Sequence, residues 1–230
     1  MMASDTSERI IAQAESFGAS LAGVASVNAL KKSPSNQLDD RVRWPANMES
    51  VLVLALAHPR SDPERDWWDR HPGGTPGNRQ LIAVADKLAQ WLKTELAIKA
   101  RPLPYRIAEG GIFLKDAAAL AGLGVIGKNN LLITPQFGAQ VRLRALFLDV
   151  VLDPTVSIDF DPCAGCDMPC RRACPQDAFA LGGYFRSPCS IQMAIDEANA
   201  AKVDHGKYDP VPRVVVKYCR ACELSCPVGR

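Results

Sequence analysis

The first 162 of the 230 residues contain no cysteine, and the whole chain has only three histidines. The net charge is +2, from 27 basic and 25 acidic residues, so we do not expect nucleic acid to be a partner. The longest apolar runs, such as residues 51–57, are too short to cross a bilayer. The N-terminal segment MMASDTSERI lacks the apolar stretch of a secretory signal. These absences predict a cytoplasmic protein with no membrane association.

The composition is otherwise that of an ordinary folded protein, with 47% hydrophobic and 23% charged residues. All eight cysteines lie between Cys163 and Cys226. The segment DPTVSIDFDP, residues 153–162, precedes the first of them and has the composition of a linker. We therefore predict two domains: a cysteine-free body over residues 1–158 and a cysteine-rich tail over residues 159–230.

Hydrophobic periodicity predicts a body of mixed α-helices and β-strands, of the α+β or α/β sandwich type. The proline- and glycine-rich stretch 58–77 is predicted to be a long loop, and loops of this length are often functional. The predicted helices cover residues 7–17, 80–99, 114–123 and, in the tail, 190–200, and the predicted strands cover residues 51–57 and 141–152.

The cysteines form two runs that each end in Cys-Pro. The spacing of the first run is C-x2-C-x3-C-x3-C-P, and the second run has one isolated cysteine followed, after a long insert, by C-x2-C-x3-C-P. Eight thiolates match the requirement of two [4Fe–4S] clusters with four ligands each. The predicted metal ligands are Cys163, Cys166, Cys170 and Cys174 in the first run and Cys189, Cys219, Cys222 and Cys226 in the second.

Two-cluster ferredoxins suggest how these ligands are shared. In those proteins the cysteine before proline leaves its own run and ligates the other cluster. The same crossing here would exchange Cys174 and Cys226 between the two runs. The first run departs from the ferredoxin spacing, since three residues rather than two separate Cys166 from Cys170. Structural zinc bound by four thiolates is an alternative for such pairs of C-x2-C elements, and a disulfide framework would require an oxidising compartment.

The body contains patterns that imitate nucleotide-binding motifs. Residues 122–128, GLGVIGK, match G-x-G-x-x-G and the start of a phosphate-binding loop. The first motif must follow a strand and open a helix, whereas here a predicted helix precedes it. The second requires Ser or Thr after the lysine, and this chain has Asn129. We interpret the glycines as a turn between a helix and a strand.

The segment AGLGVIGKNNLLITPQFGAQVRLRALFLDVVLD, residues 121–153, together with CAGCDMPCRRACP and CRACELSCP, resembles the core of epoxyqueuosine reductases and their relatives, the reductive dehalogenases. The resemblance implies a cobalamin-binding α/β sandwich of the nitroreductase-like type joined to a C-terminal ferredoxin-like module with two [4Fe–4S] clusters. It also implies that electrons pass through the clusters to the cobalt of the cobalamin.

The resemblance further implies which residues surround the corrinoid. The implied cofactor-binding residues are Lys115, Gly127, Lys128, Asn129, Leu131, Leu132, Ile133 and Thr134. The acidic proton donor of the family aligns with Ala108, and the neighbouring Glu109 is our candidate catalytic residue. The family has arginine where this chain has Lys115.

The sequence leaves more than one function open. The first hypothesis is an iron–sulfur oxidoreductase whose clusters deliver electrons to a corrinoid-dependent reduction site. The alternatives are a ferredoxin-type electron carrier without a catalytic site of its own and a structural zinc protein. The first hypothesis predicts a redox protein as electron donor and a small molecule or a modified nucleoside as substrate.

Overall fold

The computed structural model describes residues 2–180 and 182–229. Its α-helices are α1 (Met2–Ser16), α2 (Val27–Lys31), α3 (Pro34–Leu38), α4 (Pro76–Leu96), α5 (Leu114–Leu120), α6 (Pro169–Arg172), α7 (Arg186–Ala198) and α8 (Ala221–Leu224). Its strands are β1 (Leu21–Ser26), β2 (Ser50–Ala57), β3 (Ala100–Pro102), β4 (Val125–Ile126), β5 (Leu132–Ile133), β6 (Val141–Leu148), β7 (Ala201–Val203) and β8 (Arg213–Val215). Short 3-10 turns cover Pro63–Asp66 and Ile107–Glu109.

The chain divides into two compact units. The first comprises the chain up to Leu56 together with Leu81–Val125 and Arg142–Phe160. The second comprises Ala57–Gln80, Ile126–Val141 and the chain from Asp161 onward. All eight cysteines thus lie in the second unit, together with two segments of the preceding chain. The domain boundary that we place near residue 158 from the cysteine distribution remains a prediction.

The first unit is built on a four-stranded sheet with the order β1-β2-β6-β3. Strands β1 and β2 pair in antiparallel fashion, and so do β3 and β6. The central strand β2, SVLVLALA, is buried almost throughout, which explains its continuous run of apolar residues. One hydrophobic core draws on α1, β1, β2, α4 and β6, and its fully buried members include Ile10, Val24, Leu54, Leu88 and Leu146.

The two long helices follow from their apolar periodicity. In α1, Ile10 and Ala14 are four residues apart and fully buried. In α4, Leu81, Leu88 and Leu92 repeat at helical spacing and are fully buried. Among the described residues, no helix combines the length and the apolar character needed to cross a membrane.

The second unit has little regular structure. It contains the two-stranded sheet β7–β8, strand β5 of the β4–β5 pair, and helices α6, α7 and α8. The segment predicted to be a loop, residues 58–77, is irregular up to the start of α4 at Pro76, apart from one 3-10 turn. Trp68 in this segment forms a β-bridge with Val216, and its ring meets that of Tyr218 edge-on at 5.9 Å between centroids.

The mixed α and β character predicted from the sequence is confirmed. The predicted helices at residues 7–17, 80–99, 114–123 and 190–200 correspond to α1, α4, α5 and α7, with ends displaced by several residues. The predicted strands correspond to β2 and β6, although β6 ends at Leu148 rather than at residue 152.

Candidate metal centre

The thiol of Cys170 identifies a first group of four cysteines. Burial raises the pKa of this thiol, and the nearby thiol of Cys226 raises it further. The thiols of Cys163 and Cys166 act in the same direction. Cys170 and Cys226 are buried, whereas the other two are partly exposed. Three cysteines of the first run therefore lie together with the last cysteine of the second.

A second group surrounds Cys222. Burial raises the pKa of this thiol to about 12, with a further contribution from Cys219. Cys189 and Cys174 also raise the pKa of Cys222, and both act on Cys219 as well. Cys219 is exposed, and the other three are partly buried. The structure thus brings together the two sets of four that crossed ligation requires, which we call the first group (Cys163, Cys166, Cys170 and Cys226) and the second group (Cys174, Cys189, Cys219 and Cys222).

Backbone N–H groups point at the sulfur atoms of both groups. Such donors stabilise the negative charge of a thiolate, and in iron–sulfur proteins they help to set the reduction potential. The contacts join Lys128 N–H to Cys163 Sγ at 3.5 Å, Met168 N–H to Cys166 Sγ at 3.4 Å and Ala178 N–H to Cys174 Sγ at 3.3 Å.

The local backbone explains how the first run accommodates its extra residue. Gly165 lies between the first two cysteines and has φ +65°, a value that glycine adopts without strain. Met168, one of the three residues between Cys166 and Cys170, has φ +54° and directly precedes α6. This left-handed residue ends the loop after Cys166, and the buried Cys170 then lies in the first turn of α6.

The segment that resembles a corrinoid-binding element forms a tight hairpin between β4 and β5. Gly127 N–H donates to Leu131 O at 2.9 Å, and Asn130 in the turn has φ +59°. A Cβ atom on Gly127 would lie 2.3 Å from Cδ1 of Ile133, so a larger residue there would displace the side chain of Ile133. The hairpin follows α5, as our interpretation of the glycine motif expects, and no phosphate-binding geometry is needed to explain it.

The residues that the resemblance assigns to the corrinoid differ in their exposure. Lys128 is exposed, and Gly127 and Leu131 are partly buried. The buried ones are Asn129, Leu132, Ile133 and Thr134. Thr134 has a structural role, since its hydroxyl donates to Gly138 O at 3.3 Å and accepts from Phe137 N–H at 3.0 Å.

Asn129 is the polar residue of this segment with an incomplete set of hydrogen bonds. It is only 2% exposed, and its Oδ1 accepts from Leu131 N–H at 3.2 Å. Its Nδ2 is buried and has no hydrogen-bond partner among the residues that the structure describes. A buried amide donor without an acceptor is unfavourable, so this atom suits a bound group that carries acceptor oxygens.

Within the second unit, the hairpin and the turn that follows it contact the cysteine runs directly. Besides the hydrogen bond from Lys128 to Cys163, Arg171 Nη2 donates to Lys128 O at 3.4 Å and to Gly182 O at 2.6 Å. In the turn after β5, Gly138 has φ +55°, and a Cβ atom there would lie 2.0 Å from Val228 O. This turn therefore packs backbone against backbone on the end of the second cysteine run.

Glu109 and Lys115 lie in the other unit. Glu109 ends a 3-10 turn, and its carboxylate lies 3.6 Å from the guanidinium of Arg106, with both side chains largely exposed. Lys115 lies in the first turn of α5, and burial lowers the pKa of its ammonium, against the opposing charge of Asp116. Their predicted roles in catalysis and cofactor binding remain predictions.

A buried charged network that sequence spacing does not predict lies beside the second run. His58 Nδ1 lies 3.4 Å from Asp66, and its carbonyl accepts a hydrogen bond from Arg220 Nη2 at 2.9 Å. Arg220 also pairs with Glu223. The interleaving of Arg220 with the cysteines marks it in the sequence as a charge near the ligands, whereas its contact with the carbonyl of His58 follows only from the fold.

His71 also has carboxylate neighbours that sequence spacing does not predict. Its Nδ1 lies 3.5 Å from Asp69 and 3.3 Å from Asp209, so that three atoms of metal-ligating type lie within 4.8 Å of one another. The carboxylate of Asp69 is already paired with Arg79 at 2.9 Å and lies 3.7 Å from Arg213. These arginines satisfy the charge of Asp69 within the chain.

Comparison with curated proteins relates the chain to epoxyqueuosine reductases and to a reductive dehalogenase. It is 40% identical over 196 residues to an epoxyqueuosine reductase of Bacillus cereus, and the match covers 79% of this chain and 48% of that protein. The chain thus spans about half the length of the curated relatives that it matches. No protein-family model matches the chain.

Solved structures show the same fold. An epoxyqueuosine reductase in complex with an epoxyqueuosine-modified tRNA-Tyr stem loop matches with a TM-score of 0.66 and 20% identity, over 98% of this chain and 65% of that one. A catabolic reductive dehalogenase in complex with 3-bromo-4-hydroxybenzoic acid matches with a TM-score of 0.70 and 17% identity, over 99% of this chain and 32% of that one. The likeness to epoxyqueuosine reductases and reductive dehalogenases predicted from the sequence is confirmed.

Proposed function

We propose that the chain is the redox core of a cobalamin-dependent reductase of the epoxyqueuosine reductase type and holds two [4Fe–4S] clusters. The proposal includes the nitroreductase-like sandwich and the ferredoxin-like module that the resemblance implies. One observation carries it: residues 127–134 belong to the same compact unit as all eight cysteines, and Lys128 N–H donates to Cys163 Sγ at 3.5 Å. The segment implied to bind the corrinoid therefore adjoins a cluster ligand.

The donor set fits two clusters. Each group offers four thiols, and each of the groups receives backbone N–H hydrogen bonds at its sulfurs. A [4Fe–4S] cluster requires four thiolates and is stabilised by such donors. The first group would hold one cluster and the second group the other, so that all eight cysteines are used.

One atom of the hairpin is suited to contact a polar cofactor. Nδ2 of Asn129 is a buried donor, and the side chains of a corrinoid carry amide oxygens that could accept from it. When bound, the clusters would carry electrons one at a time, and the corrinoid would supply the metal at which a substrate is reduced.

The chain's own residues would position these groups and handle the proton. Arg171, next to the ligand Cys170, ties the hairpin to the loop at Gly182 through two carbonyl oxygens. These two hydrogen bonds would fix the position of the hairpin relative to the first group. Glu109 would hold the proton that a reduction consumes, at its carboxyl group, with Lys115 as the basic residue of the same unit.

The similar enzymes suggest a class of substrate and of partner for this chain. The enzyme solved with a modified tRNA stem loop counts against our expectation, drawn from the small net charge, that nucleic acid is not a partner. We propose a modified nucleoside as the substrate class and a redox protein as the electron donor.

Retention of cobalamin by the anaerobically purified protein tests the proposal. We expect about eight irons per chain and cob(II)alamin that remains with the protein during gel filtration. Bound iron without any retained cobalamin would favour a ferredoxin-type carrier instead. Zinc in place of iron, or no transition metal, would refute the proposal as a whole.

Asn129→Asp provides a matched variant. The aspartate keeps an acceptor for Leu131 N–H but has no amide donor. We expect cobalamin affinity to fall by about tenfold or more, because one hydrogen bond is lost and the buried carboxylate repels the acceptor oxygens, while the iron content stays the same. Unchanged affinity would exclude Asn129 as a contact of the corrinoid.

A further inference from the structure

Helix α7 exposes the face that an amphipathic helix normally buries. None of its thirteen residues is buried. Apolar residues at helical spacing line one side of it, and we call this side the α7 stripe: Ile191, Ala194, Ile195 and Ala198. All four are exposed, and Ile191 and Ile195 keep 54% and 42% of their surface accessible. Nothing in the described part of the chain therefore buries the stripe.

The opposite side of α7 is held by hydrogen bonds beside the second group. Asp196 Oδ2 accepts from the backbone N–H of Cys219 at 2.7 Å, and its Oδ1 accepts from Gln192 Nε2 at 2.8 Å. Gln192 Oε1 in turn accepts from Gln176 Nε2 at 3.1 Å. Cys189 precedes Gln192 by three residues and Asp196 by seven, so these three residues share one face of the helix. The stripe therefore points away from the cysteines.

The stripe has the dimensions of a helix-packing surface. Ile191 and Ile195 are about one helical turn apart, and the small side chains of Ala194 and Ala198 beside them let a second helix approach closely. Removal of the isoleucine side chains from water in such a contact is favourable. The stripe is only about two turns long, and interfaces of small area are weak and reversible. We therefore expect an association of micromolar strength.

Charges beside the stripe favour a second copy of the same chain as the occupant. Arg186 lies at the N-terminal end of α7 and Glu197 near its C-terminal end, and both are exposed. They are about three helical turns apart, so they lie along the same flank of the helix. A two-fold axis perpendicular to α7 would bring this flank against its own counterpart with the ends reversed. Arg186 of one copy would then lie near Glu197 of the other, and the antiparallel helix dipoles would attract each other.

We propose that the α7 stripe is a dimerisation surface, at which two copies of this chain pack their α7 helices antiparallel about a two-fold axis. The inference goes beyond the proposed function, because it does not depend on what the two groups of cysteines bind. The same geometry leaves the second groups of the two copies on the outer sides of the helix pair, because Cys189 lies opposite the stripe.

Sedimentation equilibrium of the anaerobically purified protein, over a range of micromolar concentrations, tests the inference. We expect a monomer–dimer equilibrium. Ile195→Glu should raise the dimer dissociation constant by about 100-fold, because two-fold symmetry buries the unpaired charge twice, at about tenfold each. Val211→Glu is the matched control: Val211 is 60% exposed between β7 and β8, so the same change away from the stripe should leave the constant unchanged. Iron content and circular dichroism verify that each variant is folded.

Exchange of the two flanking charges is a second test that leaves the stripe intact. Arg186→Glu alone and Glu197→Arg alone should each weaken the dimer, because each places like charges opposite one another. The protein with both substitutions should recover it. Glu197 Oε1 also accepts from the hydroxyl of Tyr218 at 2.7 Å, so Tyr218→Phe controls for the loss of that hydrogen bond and should keep the dimer.

A protein that stays monomeric at every concentration would overturn the inference, even if the stripe bound a different protein. A dimer that survives Ile195→Glu, or one that Val211→Glu weakens equally, would also overturn it. If Ile195→Glu does not fold, the charge exchange decides: recovery of the dimer by the double substitution supports the inference, and no recovery overturns it. Absence of iron from a dimeric protein would refute the proposed function alone, so the two failures are distinguishable.

Discussion

Serine variants of Cys170 and Cys174 separate crossed ligation from ligation run by run. The two cysteines are four residues apart in the first run, and a run-by-run arrangement would place them on one cluster. In the structure Cys170 neighbours Cys226, whereas Cys174 neighbours Cys219 and Cys222. We therefore expect Cys170→Ser and Cys174→Ser to damage different clusters.

The size of the effect follows from the two groups of four. Each cluster contains four irons, so loss of one ligand should lower the iron content from about eight to about four per chain. Cys170 is only 7% exposed, and an unsatisfied hydroxyl at such a site costs about 1–3 kcal/mol. Cys170→Ser should therefore also destabilise the protein more than a serine at the exposed Cys219.

Iron analysis and EPR of the dithionite-reduced proteins provide the measurement. Cys170→Ser should lose the same EPR signal as Cys226→Ser, and Cys174→Ser the same signal as Cys222→Ser. Crossed ligation is refuted if the variants of Cys170 and Cys174 lose one common signal and keep the other. Loss of both signals in every variant would show that the clusters assemble only together, and would likewise contradict the separate groups.

Two further substitutions test the packing of the hairpin and the proton donor. Gly138→Ala should lower the free energy of unfolding by about 3 kcal/mol, because its Cβ would clash with Val228 O and its φ is +55°. Gly182→Ala is the control: its φ is +84° but the space around it is open, so it should cost only about 1–2 kcal/mol. Equal losses for the two variants in urea unfolding would contradict the packing of Gly138 against Val228. Glu109→Gln should lower the rate of substrate reduction without changing the iron content. Because the contact of Glu109 with Arg106 is exposed, the variant should change the free energy of unfolding by less than about 1 kcal/mol. An unaltered turnover would exclude Glu109 as the proton donor.

Local sequence accounts for the long elements of the fold. Helices α1 and α4 have apolar residues at helical spacing, and strands β2 and β6 are rich in apolar residues, so the sequence pattern alone locates them. Strand β1, LAGVAS, was not predicted because alanine, glycine and serine carry little strand preference. It becomes a strand through its antiparallel pairing with β2, which lies about thirty residues along the chain. Strands β7 and β8 have three residues each and are too short for any period to show.

The sequence alone determined that the tail offers eight thiols as candidate metal ligands, because the number, spacing and Cys-Pro endings of the cysteines are properties of a linear chain. Tertiary structure decided what surrounds those sulfurs. The hydrogen bond from Lys128 to Cys163 spans 35 residues, and the pairing of Arg220 with the carbonyl of His58 spans 162. Such contacts depend on how distant segments pack, so a local pattern cannot encode them, and they place the hairpin beside the first group of cysteines.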